Sequence, residues 1–397
     1  MKLISNQINP HFTLRDALYG VAQLRFIGSK KQINFLEWFG TRNYKLFNVG
    51  RSALTTIIDV VQPAKDKRIA IPAFVCGVVA LPFISAGYKI EWIDTDDNGC
   101  IDLEDFRRKS DNVSMLVVPH IFGQMIDLVP FADICRAKQI FLIEDCAHGW
   151  SGDLIADARI LSFGREKVVS CVAGGALVWP NNSKYAAVFQ NISLQQPART
   201  WVLKHALQPL WYSLSMAWWN MGGKIIPILA QKLKFLPKAV YKAEKNGKNV
   251  LSVFALSYVQ QRILAYQLKR FFGNKKKNKK SVLKHQKNIA EYWKDSLAGI
   301  FSPEEIIISA SGFRVIVKTP KAKKIRSVLL KQNIHLREWD GEPIAPAGTD
   351  LSAFGYRKGD CPGAEFFGHN YITLPTNRHI SKKDVKKIAQ ILKHCIK

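Results

Sequence analysis

The chain has 397 residues, long enough for one large and one small domain. It is 47% hydrophobic and 22% charged, ordinary for a globular protein, but its formal net charge of +27 is not ordinary. Its seven cysteines are scattered, odd in number and without metal-ligand spacing, which argues against a disulfide framework and against a metal site and suits a reducing cytosol. The start, MKLISNQINPHF, lacks an apolar core of signal-peptide length, so no secretion is expected.

Residues 1–45 show no clear pattern. The first informative stretch is Phe47-Asn48-Val49-Gly50-Arg51-Ser52-Ala53-Leu54, where a glycine turn leads into apolar positions Leu54, Ile57, Ile58 and Val61 at helical spacing. A helix N-terminus there would bind an anion through free N–H groups and the dipole, or Ser52 would serve only as a cap. Ile69 to Phe74 reads as a strand running into a turn, followed by a helix start from Cys76 to Phe83. Cys76 itself is, on the plain reading, a small buried thiol. Tyr88 to Asp94 and Met115 to His120 read as further strands, with helical spacing at Phe131, Ile134 and Cys135 before the next strand. His120 either lines a site or bonds locally. This alternation argues for a parallel sheet with helices on both faces.

The stretch from Gln139 to Trp179 carries the chemistry. Ile140 to Ile143 is a short apolar run suited to a buried parallel strand, closed by Glu144-Asp145. Carboxylates at that end of a strand face the crevice where open α/β sheets bind ligands. A second strand, Ala158 to Phe163, carries Ser162 and is followed by Gly164-Arg165-Glu166-Lys167. Gly174-Gly175 then opens a third strand, Ala176 to Trp179. An acid after one strand and a hydroxyl and an amine after the next are the groups a pyridoxal phosphate (PLP) site needs: the amine forms a Schiff base, the acid holds the ring nitrogen protonated, and the hydroxyl helps bind phosphate. The plainer reading makes Asp145 a strand-end cap and Lys167 one lysine among many.

Residues 199–288 break the pattern. They hold 19 basic residues against one acid, Glu244, and so supply +18 of the net charge. Ala206 to Gly223 is a charge-free run of 18 that includes Trp211, Tyr212, Trp218 and Trp219. That length reaches only the bottom of the spanning range of about 17–25 residues, and Pro209 and Gly222-Gly223 trim it, so a spanning helix is not expected. Two readings stand: basic, Trp-rich helices lying on an anionic membrane surface, or a helical hairpin whose lysines are simply solvated. Nucleic acid is the least supported partner, since no base-stacking module accompanies the charge. Leu251 to Phe272 reads as a long helix and Asn274 to Lys280 as a basic loop. From about Glu291 a smaller α/β unit follows, with a strand at 312–317, a helix at 322–330, a strand at Ile334-His335-Leu336 and a closing helix at 381–392.

The words IEDCAHGWSG, ILSFGREK and GGALV, with Pro-His-x-x-Gly at 119–123, CPGAE at 361–365 and LPTN at 374–377, resemble the DegT/DnrJ/EryC1/StrS family of sugar aminotransferases. The resemblance covers nearly everything except residues 1–45 and 199–250. It implies an α/β fold, the fold-type I PLP-dependent transferase, with a large, mostly parallel sheet domain plus a smaller C-terminal α/β domain. The expected division is 1–198 for the large PLP-binding domain, 199–288 for the helical insert and interface helix, and 289–397 for the small domain. By resemblance Lys167 carries the cofactor, Asp145 meets the pyridine nitrogen, His148 lies near the ring, Ser162 contacts the phosphate, and Arg51 and Ser52 hold it too. Cys76 stands where many relatives place a ring-stacking aromatic residue. Asn246-Gly247-Lys248-Asn249 replaces a family word that reaches the partner subunit's site, and Asn377 replaces a histidine. Lys167 argues against the sister group that carries histidine there and dehydrates sugars. The implied activity is amino transfer, with glutamate the usual donor, to a keto sugar carried on a nucleotide, by a homodimer. The alternative is a PLP-binding or vestigial relative that acts as a membrane-surface binding protein.

Overall fold

The structure is a computed structural model that describes all residues except 1–2, 7–10, 65–66, 150–151, 239, 274–280, 337–338, 340 and 397. The expected basic loop at Asn274 to Lys280, and Trp150-Ser151 of the IEDCAHGWSG word, lie outside the described residues.

Short β-branched and apolar runs build one seven-stranded sheet. Its order is 44–47, 175–178, 158–162, 141–145, 113–119, 68–72, 90–93. The strand Gly175–Val178 runs antiparallel to both neighbours, and all other pairings are parallel. Strand periodicity decides which face each side chain enters. Ile69, Ile71, Met115 and Val117 join one core cluster with the helix Gly50–Val61. Ala70, Leu116 and Val118 join another, on the opposite face, with Phe106 and Phe131 from the helices Leu103–Lys109 and Val129–Ala137. Burial on both faces explains why these strands read as continuous apolar runs. Because six strands point the same way, the ends after Phe47, Pro72, Pro119, Asp145 and Ser162 share one edge.

The smaller C-terminal unit is a three-stranded antiparallel sheet of Ile306–Ile308, Val315–Lys318 and Tyr371–Leu374. The helices Val282–Leu297, Ala322–Lys331 and Lys382–Ile396 close its core around the fully buried Trp293. The chain's N-terminus joins this unit and not the large sheet: Ile4–Ser5 pairs in parallel with Ile334–His335. Asn377 holds it there by donating from Nδ2 to the Ser5 carbonyl at 2.9 Å. A further link runs through the CPGAE word. The Asp94 carboxylate accepts from the Gly363 and Ala364 N–H groups, at 3.0 and 2.8 Å, in the first turn of the helix Pro362–His369.

Three expected elements differ. The helix expected from Leu251 spans only Tyr258–Phe272, because Ser257 caps it through the Gln260 N–H and residues 252–256 instead run along the edge strand. There Asn48 N–H donates to the Phe254 carbonyl and Leu256 N–H to the Leu46 carbonyl. The helix expected from Cys76 begins later, at Leu81, after the two-residue strand Val75–Cys76 that pairs with Ile344–Ala345. The charge-free run splits: one helix, Arg199–Ala217, ends before a tight turn at Trp219–Met221 and a second helix, Ile225–Lys232. Among the described residues no helix is long and apolar enough to cross a membrane.

One contact sets the height of the Gly50–Val61 helix above the sheet. A Cβ on Gly175 would sit 2.5 Å from Gly50 Cα and 2.6 Å from Gly50 N. Both neighbours are backbone, so they cannot yield without lifting the helix. Gly175→Ala is therefore expected to cost about 1–3 kcal/mol through overpacking, measured by urea denaturation. An unchanged midpoint would show that the helix is not seated on this glycine.

Candidate functional site

The strand ends converge on one cleft, lined by Gly50, Arg51, Leu54, Val75, Cys76, Val78, Val79, Pro119, His120, Ile121, Asp145, Ala147, His148, Ile160, Ser162, Lys167 and Trp339. Six of the seven residues singled out from sequence are therefore together: Arg51, Cys76, Asp145, His148, Ser162 and Lys167. Ser52 is not. It occupies the third position of its helix, buried, with Oγ 2.8 Å from Asn48 Oδ1, and it neither caps the helix nor faces the cleft. Helical geometry turns its side chain onto the sheet and leaves Gly50 and Arg51 at the cleft.

The site has an anion-binding end and an amine-bearing end. At the first, the Gly50 and Arg51 N–H groups that open the Gly50–Val61 helix have no helical acceptor, and the helix dipole is positive there. Ser162 abuts them: a Cβ on Gly50 would meet Ser162 Cβ at 3.0 Å and Oγ at 3.1 Å. The missing side chain leaves backbone donors and a hydroxyl side by side. Arg51 pairs with Glu244, the single acid of the basic segment, and the two are almost wholly buried. Glu244 also accepts from the Tyr241 N–H at 2.7 Å, so the pair ties the segment around residue 244 to the cleft.

At the other end, Lys167 Nζ lies 3.1 Å from His148 Nε2. His148 Nδ1 faces the Phe122 N–H at 3.4 Å, so the ring is held between that N–H and the amine. Burial, then the Lys167 and Arg314 cations, hold the His148 imidazole well below 6.5, so it is neutral at physiological pH. Phe122 has φ +53 in the turn after His120, a strained conformation that aims its N–H at the ring. Phe122, Phe74 and His148 surround Trp339, with ring centroids 5.1, 5.2 and 5.7 Å away. His11 is buried near Lys167. Sequence reading missed Trp339, Phe122 and His11, which lie in stretches without periodicity. Glu244 did leave a signal, as a lone acid among nineteen bases.

Asp145 is buried, with Oδ1 accepting from the Ala147 N–H at 2.8 Å. Burial, opposed by the Lys167 cation, raises its carboxyl above 3.8. A cationic ring nitrogen is the kind of partner that offsets such burial. Burial likewise raises the Cys76 thiol above 9.0, so Cys76 is a neutral lining group and not a thiolate nucleophile. The donor set thus fits PLP: an amine, a buried carboxylate, and backbone N–H groups with a hydroxyl where no Cβ intervenes.

Beneath Asp145 lies its strand neighbour Glu144, fully buried. It accepts from His120 Nε2 at 2.8 Å and from Arg159 Nε at 2.6 Å, while His120 Nδ1 accepts from the Ile126 N–H at 3.1 Å. His120 therefore both lines the cleft and bonds locally. Burial alone would raise the Glu144 carboxyl, but His120 and Arg159 outweigh it and hold it at about 2 instead of 4.5. The folded protein thus keeps this proton off at pH values where the unfolded chain binds it. The resulting stabilisation is full above about 4.5, on the order of 3 kcal/mol, and fades as pH falls toward about 2. Glu144→Gln should therefore lower stability by that order at neutral pH. The gap from wild type should close as urea denaturation is repeated down to about pH 3. A pH-independent gap would show that the carboxylate's charge is not what the network holds.

Residues 32–216 match the DegT/DnrJ/EryC1/StrS aminotransferase family. A putative L-glutamine:3-amino-2,3-dideoxy-scyllo-inosose aminotransferase of Micromonospora echinospora is 37% identical over 92 residues, covering 21% of this chain and 22% of the relative. A dTDP-3-amino-3,4,6-trideoxy-alpha-D-glucose transaminase of Micromonospora megalomicea subsp. nigra is 23% identical over 158 residues, 36% of this chain and 41% of the relative. The matches thus span well under half of these relatives' length. The fold extends further: a putative sugar aminotransferase of Streptococcus pneumoniae, Spr1654, solved in its PLP form, superposes with a TM-score of 0.72 at 16% identity over 99% of this chain and 98% of that one. The match to the DegT/DnrJ/EryC1/StrS aminotransferase family thus covers the residues that build the sheet and most of the cleft.

Proposed function

We propose that this chain is a PLP-dependent aminotransferase that places an amino group on a keto sugar carried by a nucleotide. The observation that carries the reading is the convergence of Lys167, His148, Asp145, Ser162 and the Gly50 helix end on one cleft. The sugar-nucleotide substrate is supported by the named transaminase of Micromonospora megalomicea, which acts on a dTDP sugar, and the glutamate donor by the family resemblance alone.

PLP, when bound, supplies an electron sink that acidifies the carbon bearing the transferred nitrogen. The Gly50 and Arg51 N–H groups and Ser162 Oγ would hold its phosphate, with Asp145 at the ring nitrogen. Lys167 would hold the cofactor and move the proton at the reacting carbon. His148 faces that amine with Nε2 and orients it without competing for its proton, being neutral itself. Trp339 walls the cleft with apolar surface, backed by the buried Phe122 and Phe74, which helps exclude water from the amine.

The assembly we infer is the family's homodimer. The Tyr258–Phe272 helix spends Val259, Ile263, Leu264, Leu268 and Phe271 on its own chain's core, so a dimer would use its remaining face. An active monomer in sedimentation would contradict the dimer. All seven cysteines are free, which supports a reducing cytosol, and a native disulfide found by peptide mapping would count against it.

Lys167→Ala should fold as wild type does, lose the near-visible absorbance of the bound cofactor, and reduce transamination of keto sugar nucleotides with glutamate to background. Retained turnover in that variant would overturn the assignment of Lys167. A wild-type protein that binds PLP yet aminates no keto sugar nucleotide would leave the cofactor site standing and remove the substrate class.

A further inference from the structure

We infer that the face presented by residues 218–235 docks on the surface of an anionic phospholipid bilayer. The face is apolar to a degree a solvated hairpin does not need. Trp218, Met221, Ile225, Leu233 and Phe235 are each more than half exposed, Met221 at 77% and Leu233 at 65%. Beneath them the segment has little core of its own, only Tyr212, Ala230 and Leu236 with Trp211 against them. The apolar side chains have thus been left outside, not turned inward.

Charge decides what can cover them. Lys224, Lys232 and Lys234 are exposed among these side chains. No acidic residue occurs between Glu166 and Glu244, and Glu244 is buried against Arg51. The charges that this segment itself sets around its apolar centre are therefore all cationic. A second copy of the chain would bring the same lysines against these lysines, since a two-fold contact pairs a patch with itself. A nucleic acid could stack on Trp218 and Phe235 but would leave the aliphatic Met221, Ile225 and Leu233 uncovered. Anionic headgroups over acyl chains match both components at once. With no spanning helix among the described residues, contact would be peripheral. The face is not detached from the cleft: Tyr212 Oη accepts from Arg165 Nη1 at 2.6 Å, two residues before Lys167.

The test is flotation of the full chain with vesicles of phosphatidylcholine alone and of an equal mixture with phosphatidylglycerol. Wild type should float with the mixed vesicles at low salt and be released at high salt. Met221→Ser with Phe235→Ser, both at exposed positions, should abolish flotation with the melting temperature unchanged. Lys232→Gln with Lys234→Asn should weaken binding about 25-fold, about fivefold per lysine. Asn is chosen because residue 234 has φ +58, which Asn tolerates. The proposal falls if wild type floats with neither vesicle. It also falls if wild type floats equally with both, since charge would then play no part. Loss of self-association in the serine variant, without any flotation of wild type, would make the face an interface between copies. If the serine variant unfolds, the lysine variant decides alone. No arm reads amino transfer, so the outcome is independent of the proposed activity.

Discussion

Gly50 and Gly175 touch backbone to backbone, and the cleft exists because of that contact. Two chain segments far apart in sequence can approach so closely only where neither has a side chain. The approach sets the first turn of the Gly50–Val61 helix beside Ser162, so unsatisfied N–H groups and a hydroxyl face the same space. It also explains why the antiparallel strand begins at Gly175: any larger residue there would push the helix off the sheet edge.

A second constraint works from below. Glu144 and Asp145 are adjacent on one strand, so they point to opposite sides. Glu144 is paired with Arg159 and accepts from His120 inside the protein, which leaves Asp145 as the carboxylate at the cleft. Two buried acids side by side would repel each other, and the ion pair under Glu144 removes that cost. The neutral His148 plays a related part at the amine. It offers a hydrogen bond without adding a second cation next to Lys167. Arg51 is held by Glu244, and Arg165 by Tyr212, so the basic segment is fastened on two sides of the cleft by single polar contacts.

The parallel sheet was legible because its strands are buried on both faces and bounded by polar strand ends. The same ends made Asp145, Ser162 and Lys167 legible, since position at the carboxyl edge implies the crevice. Ser52 was misplaced for a local reason: one residue of helical rotation separates a side chain facing the cleft from one facing Asn48. The N-terminal 45 residues were illegible for a non-local one. Their helix Leu14–Ala22 is fixed by Asp16, whose partners are Thr13 beside it and Arg270 and Arg378 far along the chain. Nothing in the sequence near Asp16 announces those cations. Asn377, which replaces a family histidine, proved to hold the N-terminal strand, a role visible only once Ile4–Ser5 is seen beside Ile334–His335.

Borohydride reduction of the protein loaded with PLP, followed by proteolysis and peptide mapping, tests the central claim most directly. That claim is that one lysine, set after the Ala158–Ser162 strand and facing neutral His148, is the amine of a PLP site. It predicts one stoichiometric label, on Lys167. Label on a different lysine, or scattered among the many exposed ones, would contradict it.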